Sequence, residues 1–186
     1  MQTTKPDRYS AGHRHFAPLL TILLAAMIFS FSGCDRKADE GQPLEAGITA
    51  PDFRAEDLTG MRYYLNALRG KPVLLTFFAT WCEPCKAEIP LLTELARSHG
   101  DRVQIVCIVT DTENKEKARA IADALAVPYP MLMDDGEKIK QRYGVSVLPA
   151  SFLIDSSGLV RSVYGALEEE DMKELRTAIE KLAAKP

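Results

Sequence analysis

The chain has 186 residues, of which 46% are apolar, and it carries a net charge of −3. This length and apolar content suffice for one domain with a complete core but are thin for two. The slightly acidic balance offers no basic surface, so we expect no nucleic-acid partner. With three histidines and four cysteines, the chain is poor in metal ligands, so we expect neither a metal nor a cofactor.

The first predicted element is an uncharged apolar segment that follows a basic start. Residues 16 to 33 contain no charged side chain, and Lys5, Arg8 and Arg14 precede them. This arrangement is typical of an export signal. The segment ends in Phe31-Ser32-Gly33-Cys34, which resembles the cleavage box of bacterial lipoproteins, where the cysteine becomes the lipidated first residue of the mature protein.

We therefore expect residues 1 to 34 to be a signal peptide with a lipidation site at Cys34, or else an uncleaved anchor helix. Eighteen apolar residues lie at the lower end of what spans a bilayer, so the anchor stays open as an alternative. In either case the rest of the chain lies outside the cytoplasmic membrane, facing the periplasm or the cell surface. Residues 35 to 50 are polar and aperiodic, which predicts a flexible tether to a domain at 51 to 186.

The first half of this domain is predicted to contain strands that are covered on both faces. Residues 73 to 79 and 103 to 109 are continuous apolar runs, which is typical of central strands of a sheet. The full set of predicted elements in this half is a hairpin within residues 53 to 64, a helical turn at 65 to 68, a strand at 73 to 79, a helix that opens at Cys82, and a strand at 103 to 109.

The second half is predicted to add helices and an antiparallel pair of strands. A strong turn signal, Asp155-Ser156-Ser157-Gly158, separates two short apolar segments. The predicted elements are a helix at 114 to 126, a strand at 130 to 133, a short helix at 136 to 143, strands at 151 to 155 and 159 to 164, and a C-terminal helix with Met172, Leu175, Ile179 and Leu182 on its buried side. Alternation of this kind favours a mixed sheet with helices on both faces.

Two cysteines lie three residues apart where the first buried strand gives way to a helix. The unpaired N–H groups at the start of that helix stabilise a thiolate at Cys82. Cys85 follows one turn later, close enough to form a disulfide with Cys82. A static disulfide or half of a zinc site is the alternative, but so short a loop restrains little of the unfolded chain. We therefore interpret the pair as redox-active.

Three features together resemble the thioredoxin superfamily. They are the motif Trp81-Cys82-Glu83-Pro84-Cys85, Pro90 inside the helix that follows, and Val147-Leu148-Pro149 before a strand. More narrowly, residues 50 to 183 are similar to the membrane-anchored, extracytoplasmic TlpA/ResA-like thiol-disulfide oxidoreductases. The resemblance implies an α/β, thioredoxin-like fold: a central mixed β-sheet flanked by helices, with an N-terminal β-hairpin and a helix-strand insertion at 114 to 133.

The resemblance also implies roles for residues around the two cysteines. Pro149 is expected to be a cis-proline that faces the disulfide, and the backbone of Leu148 is expected to bind an incoming peptide by strand addition. This chain has Ala150 where the family often has threonine. A glutamate at the position of Glu88 lies near the cysteines in the related cytochrome c maturation reductases and tunes their ionisation, whereas a solvated surface position is the alternative.

Other residues near the motif are interpreted from their chemistry. Trp81 is expected to pack beside the disulfide and shape the docking surface, with ordinary core packing as the alternative. The Glu83 carboxylate destabilises a neighbouring thiolate by like-charge repulsion, but it also interacts favourably with the helix N-terminus. Whether its net effect favours or disfavours the Cys82 thiolate stays open. Pro84 belongs to the same active-site environment. Cys107, inside the second apolar strand, is predicted to be a small buried core residue.

The expected activity is thiol-disulfide exchange by an enzyme. Cys82 attacks a substrate disulfide as a thiolate, and Cys85 resolves the mixed disulfide. Most thiols outside the cytoplasm are oxidised, so a reductase there needs electrons from a membrane-embedded donor. The expected substrates are oxidised proteins, and the resemblance points to the haem-attachment cysteines of apocytochrome c. The protein is expected to be a monomer, and the direction of electron flow stays open.

Two other functions of this fold remain as alternatives. A peroxiredoxin-like thiol peroxidase shares the helix-strand insertion but usually carries threonine or serine where this chain has Ala79. A metal-binding copper chaperone typically uses Cys-x-x-x-Cys with a distal histidine. This chain has the shorter spacing, and His99 lies at the end of the active-site helix.

Overall fold

The computed structural model describes residues 44 to 184. The predictions for the signal peptide, for lipidation at Cys34 and for most of the tether fall outside these described residues. Within residues 44 to 184, no helix combines the length and the apolar character needed to cross a bilayer.

A five-stranded mixed sheet forms the centre of the domain. Its spatial order is β5-β4-β3-β6-β7, with β3, β4 and β5 parallel and with β6 and β7 each antiparallel to its neighbour. Two further strands, β1 and β2, form a separate antiparallel hairpin. The strands are β1 (Arg54–Glu56), β2 (Arg62–Tyr64), β3 (Val73–Phe78), β4 (Gln104–Val109), β5 (Met131–Met133), β6 (Ala150–Ile154) and β7 (Val160–Tyr164).

Helices cover both faces of the sheet. They are α1 (Glu83–His99), α2 (Lys115–Ala124), α3 (Lys138–Arg142) and α4 (Glu169–Ala183), with short 3-10 turns at Leu65–Leu68, Thr112–Asn114 and Asp135–Glu137. The helix-strand insertion of the predicted fold corresponds to α2 and β5. Both the fold class and the order of elements predicted from the sequence are confirmed.

The alternation of side chains along each strand divides the core into two layers. One layer lies between the sheet and α1, α2 and α4, where Leu74, Cys107 and Leu153 belong to the same core cluster as Leu92 and Leu175. The other layer lies on the opposite face. Its centre is an aromatic cluster formed by Phe53, Phe77, Tyr143 and Phe152, with ring centroids 5.2 to 6.4 Å apart. Because α1 packs on β3, a strand that is buried along its whole length, its first turn is held at the end of that strand.

The sequence predicts a tether as far as residue 50, but its last seven residues are bonded to the domain. Residues 44 to 50 bond to the domain through their backbone: Gly47 and Ala50 donate to the carbonyl oxygens of Val160 and Gly158 at 2.8 and 2.9 Å. Ala50 is 4% exposed and belongs to the core. The polar composition of this segment concealed a short pairing with the end of the sheet, so residues 44 to 50 are part of the domain.

Two predicted helices are shorter than expected because backbone with positive φ interrupts them. Ala126, with φ of 48°, lies beyond the end of α2. Gly136 and Glu137, with φ of 70° and 55°, precede α3 and delay its start to Lys138. Left-handed backbone cannot continue a right-handed helix, and apolar spacing does not report it.

Candidate active site

A disulfide joins Cys82 and Cys85 at the start of α1. Cys82 is the N-cap residue, with extended backbone, and its Sγ accepts a hydrogen bond from the Cys85 N–H at 3.3 Å. The two Cα atoms are 5.3 Å apart. Both residues are buried, at 4% and 3% exposure. The sulfur of Cys82 therefore lies where unpaired helix N–H groups stabilise negative charge, which favours its thiolate once the disulfide is reduced.

A buried carboxylate anchors the loop that carries Cys82. Asp111, just beyond β4, accepts hydrogen bonds from the Thr80 N–H at 3.0 Å and from the Thr80 hydroxyl at 2.6 Å. Thr80 is fully buried and Asp111 is 6% exposed. This pair fixes the chain two residues before Cys82, and sequence reasoning missed it because the partners are 31 residues apart.

Apolar side chains are exposed beside this loop. Trp81 is 65% exposed and Val147 is 75% exposed, so core packing of Trp81 is wrong. The Leu148–Pro149 peptide bond is cis, as predicted. Ala150 pairs with Phe77, which places the preceding proline at the end of the sheet from which the Cys82 loop leaves β3. The two segments predicted to form the docking surface thus lie at the same end of the sheet, on the neighbouring strands β3 and β6.

The remaining residues of the motif face solvent. The Glu83 carboxylate pairs with the Lys86 ammonium at 2.6 Å, and the Glu83 side chain is 80% exposed. Pro84 is also exposed, in the first turn of α1, where proline's missing N–H removes no helix hydrogen bond. The Lys86 ammonium lies within hydrogen-bond distance of the Glu83 carboxylate. Its positive charge offsets part of the negative charge that Glu83 places near Cys82.

Glu88 is buried behind the disulfide. It is 3% exposed, and its carboxylate accepts a hydrogen bond from the Leu167 backbone N–H, so the solvated alternative is wrong. Burial raises the pKa of Glu88 to about 7; the Leu167 N–H opposes this rise and the Asp171 carboxylate adds to it. Glu88 and Cys85 line one small cavity beneath α1. A carboxyl group that changes its charge near pH 7 therefore lies beside the redox pair.

Cys107 is the buried core thiol that the sequence predicted. It is 3% exposed on β4 and forms no disulfide. Burial raises the pKa of its thiol, and the Glu88 carboxylate raises it further, so it stays protonated at neutral pH. Within residues 44 to 184, no three or more His, Cys, Asp or Glu side chains are placed to hold a metal ion.

The site and the fold together define a class of protein. A mixed sheet of thioredoxin type, with a Cys-x-x-Cys disulfide capping the helix after a central strand, is the arrangement of the thiol-disulfide oxidoreductases. A family model described as the AhpC/TSA family matches residues 46 to 163.

Known proteins agree with this class. The thiol-disulfide oxidoreductase ResA of Geobacillus thermodenitrificans is 33% identical over 157 residues, which cover 84% of this chain and 89% of ResA. The crystal structure of a putative thiol:disulfide interchange protein DsbE from Chlorobium tepidum superposes with a TM-score of 0.70 at 25% identity, covering 77% of this chain and 100% of that one. The pneumococcal exposed lipoprotein thioredoxin Etrx1 of Streptococcus pneumoniae has a TM-score of 0.61 at 27% identity, covering 71% and 100%.

The chain therefore belongs to the AhpC/TSA family, as a thiol-disulfide oxidoreductase of the ResA/DsbE type.

Proposed function

We propose that the protein is a protein-disulfide reductase in which Cys82 is the nucleophile and Cys85 the resolving cysteine. The observation that carries this assignment is the position of the pair: Cys82 caps α1 beside exposed Trp81, whereas Cys85 lies one turn further along the helix and lines the same small cavity as Glu88. The N-cap position favours the thiolate of Cys82, which makes its sulfur the attacking one.

The catalytic cycle follows from these positions. The Cys82 thiolate attacks a substrate disulfide, a mixed disulfide forms, and one substrate sulfur leaves as a thiolate. Cys85 then loses its proton and attacks the Cys82 sulfur, which releases the second substrate thiolate and restores the enzyme disulfide. Glu88 is the base that takes the Cys85 proton. Trp81 and the cis bond before Pro149 bound the surface on which the substrate chain docks, with the Leu148 backbone as its hydrogen-bonding edge.

The proposed setting is the outer side of the cytoplasmic membrane. Residues 1 to 34 serve as the signal peptide, Cys34 carries the lipid or its segment remains as an anchor, and a tether that ends before Leu44 leads to the domain. The basic start and the uncharged segment that follows support this assignment. Likeness to an exposed lipoprotein thioredoxin is a further argument for it.

The proposed substrates are oxidised proteins, and within them the haem-attachment cysteines of apocytochrome c. The enzyme acts as a monomer and recovers its electrons from a membrane-embedded donor, because the surroundings outside the cytoplasm are oxidising. Similarity to ResA, with 33% identity, supports the thiol-exchange chemistry, whereas the choice of substrate rests on the family resemblance.

A trapping experiment tests the assignment of the two cysteines. The full-length Cys85→Ser protein, once reduced, should form a stable mixed disulfide with an oxidised apocytochrome c through Cys82, because the resolving thiol one helical turn away is gone. Mass spectrometry of the adduct identifies the linked cysteines. The matched control, Cys82→Ser, should form none. Equal trapping by both variants would contradict the assignment.

The same preparation separates the two alternative functions. Consumption of peroxide that depends on Cys82 and outpaces protein-disulfide reduction would favour a thiol peroxidase. Ala79 argues against this outcome, because the peroxidases usually carry a hydroxyl residue there. Stoichiometric copper binding by the reduced protein would favour the metal-binding alternative.

A further inference from the structure

The loop that presents Cys82 is a tight turn. The Cys82 N–H donates to the Ala79 carbonyl oxygen at 3.0 Å, so residues 79 to 82 form a β-turn with Thr80 and Trp81 at its two central positions. This turn leaves Trp81 65% exposed, and it delivers Cys82 to the N-cap of α1 with extended backbone. The conformation of one turn therefore sets the position of both the docking residue and the nucleophile.

The turn is held from the side of β4 through Thr80. The two strands stay paired up to the Phe78 carbonyl oxygen, which accepts a hydrogen bond from the Thr110 N–H at 2.9 Å. Beyond that point the Thr80 N–H donates to both carboxylate oxygens of Asp111, at 3.0 and 3.1 Å, and the Thr80 hydroxyl donates to one of them at 2.6 Å. The Asp111 side chain thus continues the pairing where the backbone of β3 has ended.

The Asp111 carboxylate is itself oriented by the start of the inserted helix. The Asn114 side-chain amide donates to it at 3.3 Å, and the Asn114 N–H donates to the Asp111 carbonyl oxygen at 3.0 Å. Asn114 is the N-cap residue of α2, but its side chain makes no capping hydrogen bond, so its amide is available for this contact. Because Asp111 is buried, each hydrogen bond that it lost would leave a costly unpaired polar group. The geometry of the contact is therefore closely restrained.

The Cys82 sulfur depends on its position for the stabilisation of negative charge. Its Sγ accepts a hydrogen bond from the Cys85 N–H at 3.3 Å. Pro84, in the first turn of α1, has no N–H to offer in place of that donor. A displacement of Cys82 that breaks this bond therefore removes part of what the helix N-terminus contributes to its thiolate.

We propose that Thr80 and Asp111 are positioning residues for the exchange reaction: their contact fixes the 79–82 turn, which keeps Cys82 at the N-cap and Trp81 on the docking surface. The contact acts through geometry, not through the charge of the carboxylate. These two modes of action have opposite signs, because a carboxylate near a thiolate disfavours it by like charge. This inference rests on the proposed role of Cys82 as the nucleophile.

The pH dependence of Cys82 alkylation tests the proposal. The reduced full-length protein is treated with iodoacetamide over a series of pH values, and mass spectrometry measures modification of Cys82 itself. Asp111→Ala should raise the pH midpoint by about one unit, toward the free-thiol value of about 8.5. Asp111→Asn keeps an acceptor for Thr80 but loses the charge, so its midpoint should equal the native one or lie below it.

Variants of Thr80 make the same test with a smaller change to the fold. Thr80→Val deletes the hydroxyl but keeps the shape of the side chain, so the midpoint should rise, by less than in Asp111→Ala. Thr80→Ser restores the hydroxyl and should return the native midpoint. Thr93→Val is the matched control, because this threonine is also buried, in the middle of α1, and its hydroxyl has no hydrogen-bond partner among the described residues. Its midpoint should equal the native one.

The charged side chains in the first two turns of α1 are the same in all these variants. They are Glu83, Lys86 and Glu88, so a difference between the midpoints does not come from them. Trp81 supplies a second readout, because it is the chain's single tryptophan. Its fluorescence anisotropy in the reduced protein should fall in Asp111→Ala, where the turn is released, and should keep the native value in the Asp111→Asn protein.

Three outcomes would overturn the proposal. A native midpoint in both Asp111→Ala and Thr80→Val would leave the contact with a purely structural role, even if both variants unfold more easily. A midpoint that falls in Asp111→Ala as well as in Asp111→Asn would show that the carboxylate acts by its charge. Native anisotropy of Trp81 in Asp111→Ala would show that the contact does not hold the turn.

Failure of the proposed function looks different. In that case Cys82→Ser would catalyse thiol-disulfide exchange as the native protein does, whatever the Thr80 and Asp111 variants show.

Discussion

At the scale of single residues, the site depends on what burial does to charge. Cys82 has a helix N-terminus to stabilise its thiolate, whereas Cys107 lies in an apolar layer where burial raises the pKa of the thiol. Both cysteines are less than 5% exposed, so exposure does not distinguish them. Their different chemistry follows from the backbone groups around each sulfur.

The raised pKa of Glu88 predicts how the stability of the protein depends on pH. Its folded-state pKa of about 7 exceeds the ordinary value of 4.5, so the folded protein holds a proton that the unfolded chain releases between these values. Stability therefore falls as pH rises from about 4.5 to 7, by on the order of 3 kcal/mol at most. Glu88→Gln removes the ionisation and should gain stability relative to the native protein between pH 5 and pH 8.

Urea unfolding of the oxidised proteins at pH 5 and pH 8 checks this. Glu83→Gln is the control on the same helix; its carboxylate is exposed, so its effect should stay within about 1 kcal/mol at both pH values. A stability difference between Glu88→Gln and the native protein that is the same at pH 5 and pH 8 would show that Glu88 is not the buried titrating group.

At the scale of elements, β3, the loop after it and α1 act as one unit. The loop is held from the side by Asp111 at the end of β4, through the Thr80 N–H and hydroxyl. Packing of α1 on the sheet fixes the helix but not this loop. The position of Cys82 is therefore set from two neighbouring strands.

Asp111→Ala should destabilise the fold and loosen the redox loop. It leaves two polar groups of Thr80 buried without partners, at about 1 to 3 kcal/mol each, so we expect a loss of roughly 2 to 6 kcal/mol in urea unfolding. Asp111→Asn keeps one acceptor oxygen and should recover part of the loss. Asp123→Ala, on the exposed part of α2, is the control and should change little. Equal unfolding midpoints for the Asp111→Ala and Asp123→Ala proteins would exclude the anchoring role.

Sequence reasoning located the elements but not the contacts between them. Apolar runs and the spacing of the cysteines gave β3, β4 and α1 to within one or two residues, because these signals are local. The Glu88–Leu167 bond joins residues 79 apart in the chain, and no local pattern encodes it. The end of α2 and the start of α3 were missed because they depend on positive φ at Ala126, Gly136 and Glu137, which apolar spacing does not report.

At the scale of the whole molecule, the chemistry and the proposed membrane attachment are assigned to different parts of the chain. Residues 44 to 184 contain both layers of the core and the redox pair. The proposed membrane attachment depends instead on residues 1 to 34. Location and chemistry can therefore be tested separately.

Cys34→Ser should abolish lipidation and leave the chemistry intact. When the chain is expressed with its own N-terminal segment in a bacterium given a labelled fatty acid, the native protein should carry the label and sediment with membranes. The Cys34→Ser protein should carry none and should still react with thiol reagents through Cys82. Label that persists in the variant would refute lipidation at Cys34, and membrane association without label would favour the uncleaved anchor.

The most direct test of the central assignment is turnover of a protein disulfide by the full-length enzyme with a chemical reductant in excess. The native protein should accelerate reduction of oxidised insulin over the reductant alone, and Cys82→Ser should fall to the uncatalysed rate. Cys85→Ser should lose most of this acceleration and, with the reductant removed, should form one equivalent of mixed disulfide. Catalysis by Cys82→Ser at the native rate would contradict the account, because the sulfur that caps α1 would then have no part in exchange.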